Sequence, residues 1–235
     1  MTRNCRFDTL LVDLDDTLID FKSSEEKSLR YVFEKFYNSN SSFPDFYNQF
    51  KNINKELWKK YESKGVHAHE NIRLKRFHQL SSLWGRPYLP EIPDDYERKL
   101  VEEICWYENT PEILKSLHNS GIKICIISNG FSRFQRNKME KLGVMDYCDD
   151  FLISEETGKS KPSQGFFELA IEKCKSCHEN TLVVGDSLST DFQGAINTGL
   201  NFCWVNGKQK DLPSYYPEPL ATISCFNDID MILQC

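Results

Sequence analysis

The 235-residue sequence predicts an α/β protein: a doubly wound, parallel sheet core with an all-helical domain inserted after its first strand. Two observations carry this prediction. From about residue 105 to 206, short apolar runs rich in β-branched residues alternate with amphipathic segments. By contrast, about 100 residues between the first such run and the second read as helix only. Near-continuous apolarity within each run marks strands buried on both faces, the habit of a parallel sheet covered by helices.

The first strand is "TLLVDLD" (9–15). In the insertion, Leu29, Val32, Phe33 and Phe36 recur at helical spacing. Phe46, Phe50, Ile53, Leu57 and Tyr61 form a second stripe, and Leu74, Phe77, Leu80 and Trp84 a third, which Gly85 and Pro87 end. The polar run 38–43 is a loop between helices. The core resumes with a helix over 110–121 and a strand over 122–129, then a helix over 132–143 and a strand over 150–154. A helix over 162–174 has Pro162 at its first position, before a strand over 181–186. A helix over 189–199 and a strand over 201–206 follow, with "ATISC" (221–225) a weaker sixth strand. Gly121, Gly143 and Gly199 stand where left-handed helix caps are expected. The division is therefore 1–19 with 96–235 for the core and 20–95 for the helical domain.

Composition narrows the function classes. The formal net charge is −6 and no run of Lys and Arg forms a basic stripe, which argues against a nucleic-acid polymer as partner. No apolar segment reaches the roughly 18 residues of a membrane span, and the N-terminal stretch lacks a signal-peptide pattern. Nine scattered cysteines, three of them (Cys125, Cys203 and Cys225) in expected strands, suit free thiols in a reducing cytoplasm. An anionic small molecule stays compatible with an acidic chain, and either a monomer or a homodimer is open.

Polar residues gather at the expected carboxyl ends of the strands, where open α/β sheets bind ligands. Strand one ends in Asp13 and Asp15, strand two in Ser128, Asn129 and Gly130, and strand four in Gly185 and Asp186. Lys161 precedes a helix after strand three. Strand alternation puts Asp13 and Asp15 on one side and Asp16 on the other. Two carboxylates about 5 Å apart repel by roughly 3 kcal/mol at an effective dielectric of about 20. A hard divalent cation relieves such crowding, and Mg²⁺ prefers carboxylate and phosphate oxygens. Lys161 offers a point charge for a phosphate, Ser128 a hydroxyl, and Asn129 and Gly130 backbone N–H groups. The set suits phosphoryl transfer through an aspartate nucleophile.

"DLDDTL", "ISNG", "KP" and "GDSLSTD", in that order, resemble the four motifs of the haloacid dehalogenase superfamily, which has a Rossmann-like core. The resemblance implies Asp13 as nucleophile and Asp15 as general acid and then base. It implies Ser128 and Lys161 on the phosphoryl group. Mg²⁺ would be held by Asp13, the backbone carbonyl of Asp15 and Asp186, with Asp191 in support. An Asp at position 15 implies a phosphatase or phosphomutase rather than a dehalogenase.

Stretches 53–66, 75–80, 127–144, 153–171 and 194–206 are similar to the helical-cap nucleoside 5′-monophosphatases, house-cleaning enzymes for pyrimidine or non-standard nucleotides. Asn54, Trp58 and Arg76 are the helical-domain residues expected to meet the leaving group, Trp58 by stacking on a base and Arg76 by hydrogen bonding. The usual Pro-Gly after the cap is replaced by "NTPEIL" (109–114). Alternatives are a phosphoglycolate or sugar-phosphate phosphatase, a phosphomutase, and, from another class, a non-catalytic phosphate-responsive binding protein. His67 and His69 lack a nearby third ligand and read as loop residues. "CKSCH" (174–178) matches a haem-attachment pattern that needs an exported chain, and reads as coincidence.

Overall fold

The computed structural model describes residues 6–37, 42–62 and 69–233, the side chains of 61–71 excepted. Two compact units emerge, Met1–Asp20 with Trp106–Cys235 and Phe21–Cys105.

The first unit holds one six-stranded parallel sheet in the order β3-β2-β1-β4-β5-β6. Its strands are β1 (Thr9–Asp13), β2 (Lys123–Ser128), β3 (Asp150–Ile153), β4 (Thr181–Gly185), β5 (Asn201–Val205) and β6 (Ala221–Ile223). All five residues of β1 are buried, as a central strand covered on both faces requires. Leu11 pairs in register with Cys125 on one side and Val183 on the other. The chain runs from β1 outward through β2 to β3, then returns to β4 on the opposite side of β1. That reversal opens a crevice at the carboxyl ends of β1 and β4, the place where such sheets bind ligands.

Leu11, Ile127 and Val183 pack on one sheet face with Phe166, Phe167, Phe192 and Phe202. Close approach of helix to helix depends on Gly194, where a Cβ would overlap the Phe167 ring. The later helices of the chain are α5 (Thr110–Asn119), α6 (Ser132–Leu142), α7 (Ser154–Thr157), α8 (Gln164–Cys174), α9 (Gln193–Thr198) and α10 (Asp230–Leu233).

Several sequence expectations need correction. Pro162 does not open a helix: the Ser160 carbonyl accepts from Ser163 N–H at 2.8 Å, and α8 starts only after this turn. The expected helix over 189–199 begins as a π-helical turn, Leu188–Phe192, before α9. Cys225 lies beyond β6 and is exposed, and the cysteines among the described residues are free thiols. Within "CKSCH", Cys174 is buried and Cys177 exposed, and His178 pairs with Glu168. No helix among the described residues is long and apolar enough to cross a membrane.

The second unit is helical: α1 (Phe21–Val32) with a π-helical turn (Phe33–Tyr37), α2 (Phe43–Glu62), α3 (His69–Leu83) and α4 (Glu91–Glu103). Its border differs from the expected one, because residue 95 falls inside α4, which packs against α1 and carries the unit on to Cys105. Phe46, Phe50, Phe77, Leu80 and Tyr96 are fully or almost fully buried; the rings of Phe50, Phe77 and Tyr96 pack on one another, and Phe46 packs with Phe33, Tyr37 and Trp84. Leu74 was expected in that core but is 38% exposed, whereas Arg76 on the same helix is 5% exposed. His67 and the side chains of Tyr61 and His69 lie outside what the structure describes.

Candidate active site

β1 ends at Asp13, so the alternation rule stops before Asp15 and Asp16. Beyond it the chain turns back: Asp16 N–H donates to the Ile19 carbonyl at 2.9 Å, and Asp16 adopts φ 62°. Asp16 is placed by this turn and not by strand alternation, and it faces a cleft that Asp13, Asp15, Ser128 and Lys161 do not line. With Thr17 and Asp186 it lines this cleft of about 480 Å³, which also includes Asn206, Lys208 and Lys210.

Asp13 is 7% exposed and fully engaged. Its Oδ1 accepts from Lys161 Nζ at 2.5 Å and its Oδ2 from Thr17 Oγ1 at 3.1 Å. Thr17 in turn accepts from Asp186 N–H at 3.0 Å, which ties the first strand end to the fourth. Lys161 reaches Asp191 Oδ1 at 2.7 Å and donates to the Ile127 carbonyl at 3.2 Å. Asp191 is fully buried, and its carboxylate fills the space that a Cβ on Gly185 would need.

Asn129 acts on Lys161 through its side chain. Its Nδ2 donates to the Lys161 carbonyl at 2.8 Å and its Oδ1 accepts from Lys161 N–H at 2.9 Å. This two-way amide pair fixes the backbone that carries the lysine. Gly130 departs from its expected role, since its N–H donates to Ser154 Oγ at 3.2 Å. Ser128 is buried at the end of β2 and accepts from Gln135 Nε2 at 2.8 Å.

Asp13, Asp186 and Asp191 bring carboxylate oxygens within 4.8 Å of one another. Burial is the largest cause pushing the Asp13 carboxyl well above the usual range; Lys161 opposes it, and Asp191 and Asp186 reinforce it. Asp186 is pushed up to about 7, first by burial and then by Asp191 and Asp16. Burial disfavours the Lys161 charge, yet Asp13 and Asp191 outweigh it and hold the ammonium more firmly protonated than usual. An all-oxygen donor set with excess negative charge fits a hard divalent cation such as Mg²⁺. The Asp15 carboxylate stands outside that group of three, held instead by two donors from α6.

A pH dependence follows. Unfolded, Asp186 loses its proton near 3.8; folded, it keeps the proton until about 7. Between those values the folded state binds more protons, so stability falls as pH rises. In chelator, denaturant unfolding at pH 5 and pH 8 should show a loss of up to about 2.7 kcal/mol from this group, the two units between pH 5 and its folded value at about 1.36 kcal/mol each. Asp186→Asn should remove that part of the slope; an unchanged slope would contradict the assigned burial.

Residues 10–205 match the haloacid dehalogenase-like hydrolase family. The chain belongs to that family. The hydrolase is 29% identical to the HAD-hydrolase YfnB of Bacillus subtilis, whose magnesium-bound crystal structure superposes with a TM-score of 0.84, covering 98% of this chain and 100% of that one. It is 29% identical to the pyrimidine 5′-nucleotidase YjjG of Escherichia coli, over 97% of this chain and 98% of that protein. It is 32% identical to a ribulose-1,5-bisphosphate 5-phosphatase of Halopiger xanaduensis, over 81% of each chain. By family and relatives the hydrolase is a phosphatase.

Three residues of the hydrolase's site escaped the sequence reading: Thr17, Gln135 and Lys138. The last two had a signal, because they share a helix face with Phe134 and Met139, and all four are buried. Polar residues on an apolar face require partners. In the helical unit, Asn54 and Trp58 lie one turn apart on α2, both half-buried. The Asn54 Oδ1 is buried without a hydrogen-bond partner among the described residues. Arg76, expected to meet a leaving group, packs into the unit's core, its guanidinium carbon 4.7 Å from the Tyr96 ring centre and 5.3 Å from that of Phe77. Aromatic faces and long-chain packing hold it there.

Proposed function

We propose that the hydrolase is a Mg²⁺-dependent, cytoplasmic phosphomonoesterase acting on nucleoside 5′-monophosphates through an aspartyl-phosphate. The single observation that carries this reading is the buried Asp13–Lys161–Asp191 ion cluster beside a separately held Asp15. A nucleophile and an acid–base group thus sit on one turn in two distinct environments.

Asp13 attacks phosphorus, the ester P–O bond breaks, and Asp15 gives its proton to the departing alkoxide. Asp15 then takes a proton from water as that oxygen attacks phosphorus, and the bond to Asp13 breaks to release phosphate. Lys161 and Ser128 hold the phosphoryl oxygens throughout. Asp13, Asp186 and Asp191, with the Asp15 carbonyl, would hold Mg²⁺, which supplies charge neutralisation to the phosphoryl group.

The nucleotide preference is supported by near full-length similarity to a pyrimidine 5′-nucleotidase and by the half-buried Trp58, an aromatic surface able to stack on a base. A sugar-phosphate substrate is the second reading, favoured by the ribulose-1,5-bisphosphate phosphatase relative. Free cysteines support the reducing compartment.

A phosphate-release screen over nucleotides, sugar phosphates and phosphoglycolate, with Mg²⁺ and with chelator, tests the proposal. Nucleoside monophosphates should lead by about 10-fold or more in kcat/KM, the scale of one good recognition contact, and chelator should abolish release. Leading turnover of a sugar phosphate would replace the substrate class. Full activity in chelator would overturn the metal requirement.

A further inference from the structure

We propose that Lys138 and Gln135 of α6 are positioning residues that set the carboxylate plane of Asp15 and its spacing from Ser128. The inference rests on the reading of Asp15 as the acid–base group.

Asp15 lies past the end of β1 with its side chain 25% exposed, so strand hydrogen bonding does not orient it. Two donors from a single helix do. Lys138 Nζ is 2.5 Å from Asp15 Oδ1, and Gln135 Nε2 is 3.0 Å from Asp15 Oδ2. The second hydrogen of that same amide reaches Ser128 Oγ at 2.8 Å. Gln135 thereby measures out the distance between a phosphoryl-holding hydroxyl and the acid–base carboxylate. Each carboxylate oxygen has two lone pairs, so either can accept from α6 and still exchange a proton with substrate.

The orientation of the amide is set by chemistry. Reversed, Gln135 would set its oxygen against an Asp15 oxygen and give up the N–H donors that both Asp15 and Ser128 now accept. The space for this amide exists because residue 130 is glycine; a Cβ there would overlap it.

These contacts are kept against stability. The Lys138 side chain is fully buried, where desolvation of an ammonium is costly. Gln135 is 2% exposed, and its Oε1 has no hydrogen-bond partner among the described residues. An orphaned buried acceptor keeps the full cost of its lost hydration. Methionine and leucine would fill the same face of α6 without either penalty. What the polar pair adds is a carboxylate held at both oxygens.

The test is leaving-group dependence. A general acid matters most for poor leaving groups and least for p-nitrophenolate. Lys138→Met should lower kcat/KM for alkyl phosphates by about 10²-fold, the lower end of the general acid–base range, and for p-nitrophenyl phosphate by less than about 5-fold. Because Asp15 is also the base for the second step, the variant should show a burst of p-nitrophenol equal to enzyme, followed by slow turnover. Gln135→Leu removes the other donor and should act in the same direction, which keeps the test alive if Lys138→Met does not fold. Equal losses for all leaving groups without a burst, or no loss, would overturn the proposal. Asp15→Asn is measured alongside. If it shows the leaving-group effect and the α6 variants do not, positioning alone fails; if it shows none, the acid–base reading fails first.

Discussion

Asp13→Asn should abolish phosphate release, by at least about 10⁴-fold, the scale of losing a nucleophile that acts as a unit with its partners, while the protein stays folded. The carboxylate is buried beside Asp186 and Asp191 and held protonated more than usual by burial and their charges. An amide of the same shape removes one of three crowded negative groups, so the folded state loses little. Lys161 keeps Asp191 as an ion partner at 2.7 Å, and Thr17 can still donate to the amide oxygen. Phosphate-release assays and thermal unfolding should therefore separate cleanly. No burst of p-nitrophenol should appear, in contrast with Asp15→Asn, because no aspartyl-phosphate can form. Wild-type-like turnover by Asp13→Asn would remove covalent catalysis from consideration.

Lys161→Met should damage both stability and turnover. Lys161 is 2% exposed and is the ammonium set between Asp13 and Asp191. Removing one partner of a buried pair leaves uncompensated charge, typically at a cost of about 3–5 kcal/mol. Protonation of Asp13 offsets part of this at low pH, since its carboxyl is already pushed upward. The deficit in chelator should therefore be small at pH 5 and grow toward pH 8. Added Mg²⁺ should restore stability by neutralising the acids but not turnover, because the phosphoryl group has lost its fixed cation. Unfolding free energies equal to wild type at pH 8 would show that Lys161 is not the counter-charge to this cluster.

Much of the fold was legible because burial on both faces leaves a strong mark. β1, β2, β4 and β5 each read as an apolar run, and each forms within two residues of its expected ends. Asp13, Lys161, Asp186 and Ser128 were legible because each stands where a parallel strand stops or a helix is entered. Asp16 takes its place from a turn with φ 62°, which strand alternation does not describe, because β1 ends at Asp13. The Gly130 N–H was expected at a phosphate, but Ser154, packed beside it from the next strand end, accepts it. Arg76 is expected from the sequence to hydrogen-bond a leaving group, because a guanidinium is a ready donor; three aromatic rings from α2, α3 and α4 surround it in the structure.

By itself, the sequence determined the strand runs, the helical insertion and the order of the four polar segments, because periodicity and residue type are local properties. Only the tertiary structure decided that Thr17 bridges Asp13 to Asp186, that Lys161 neutralises two acids, and that α6 lays Gln135 and Lys138 on Asp15. Asp15 lies 123 residues from Lys138 and Asp13 148 from Lys161. Contacts across such separations are set by sheet order and by which helix face is buried, which no local pattern encodes.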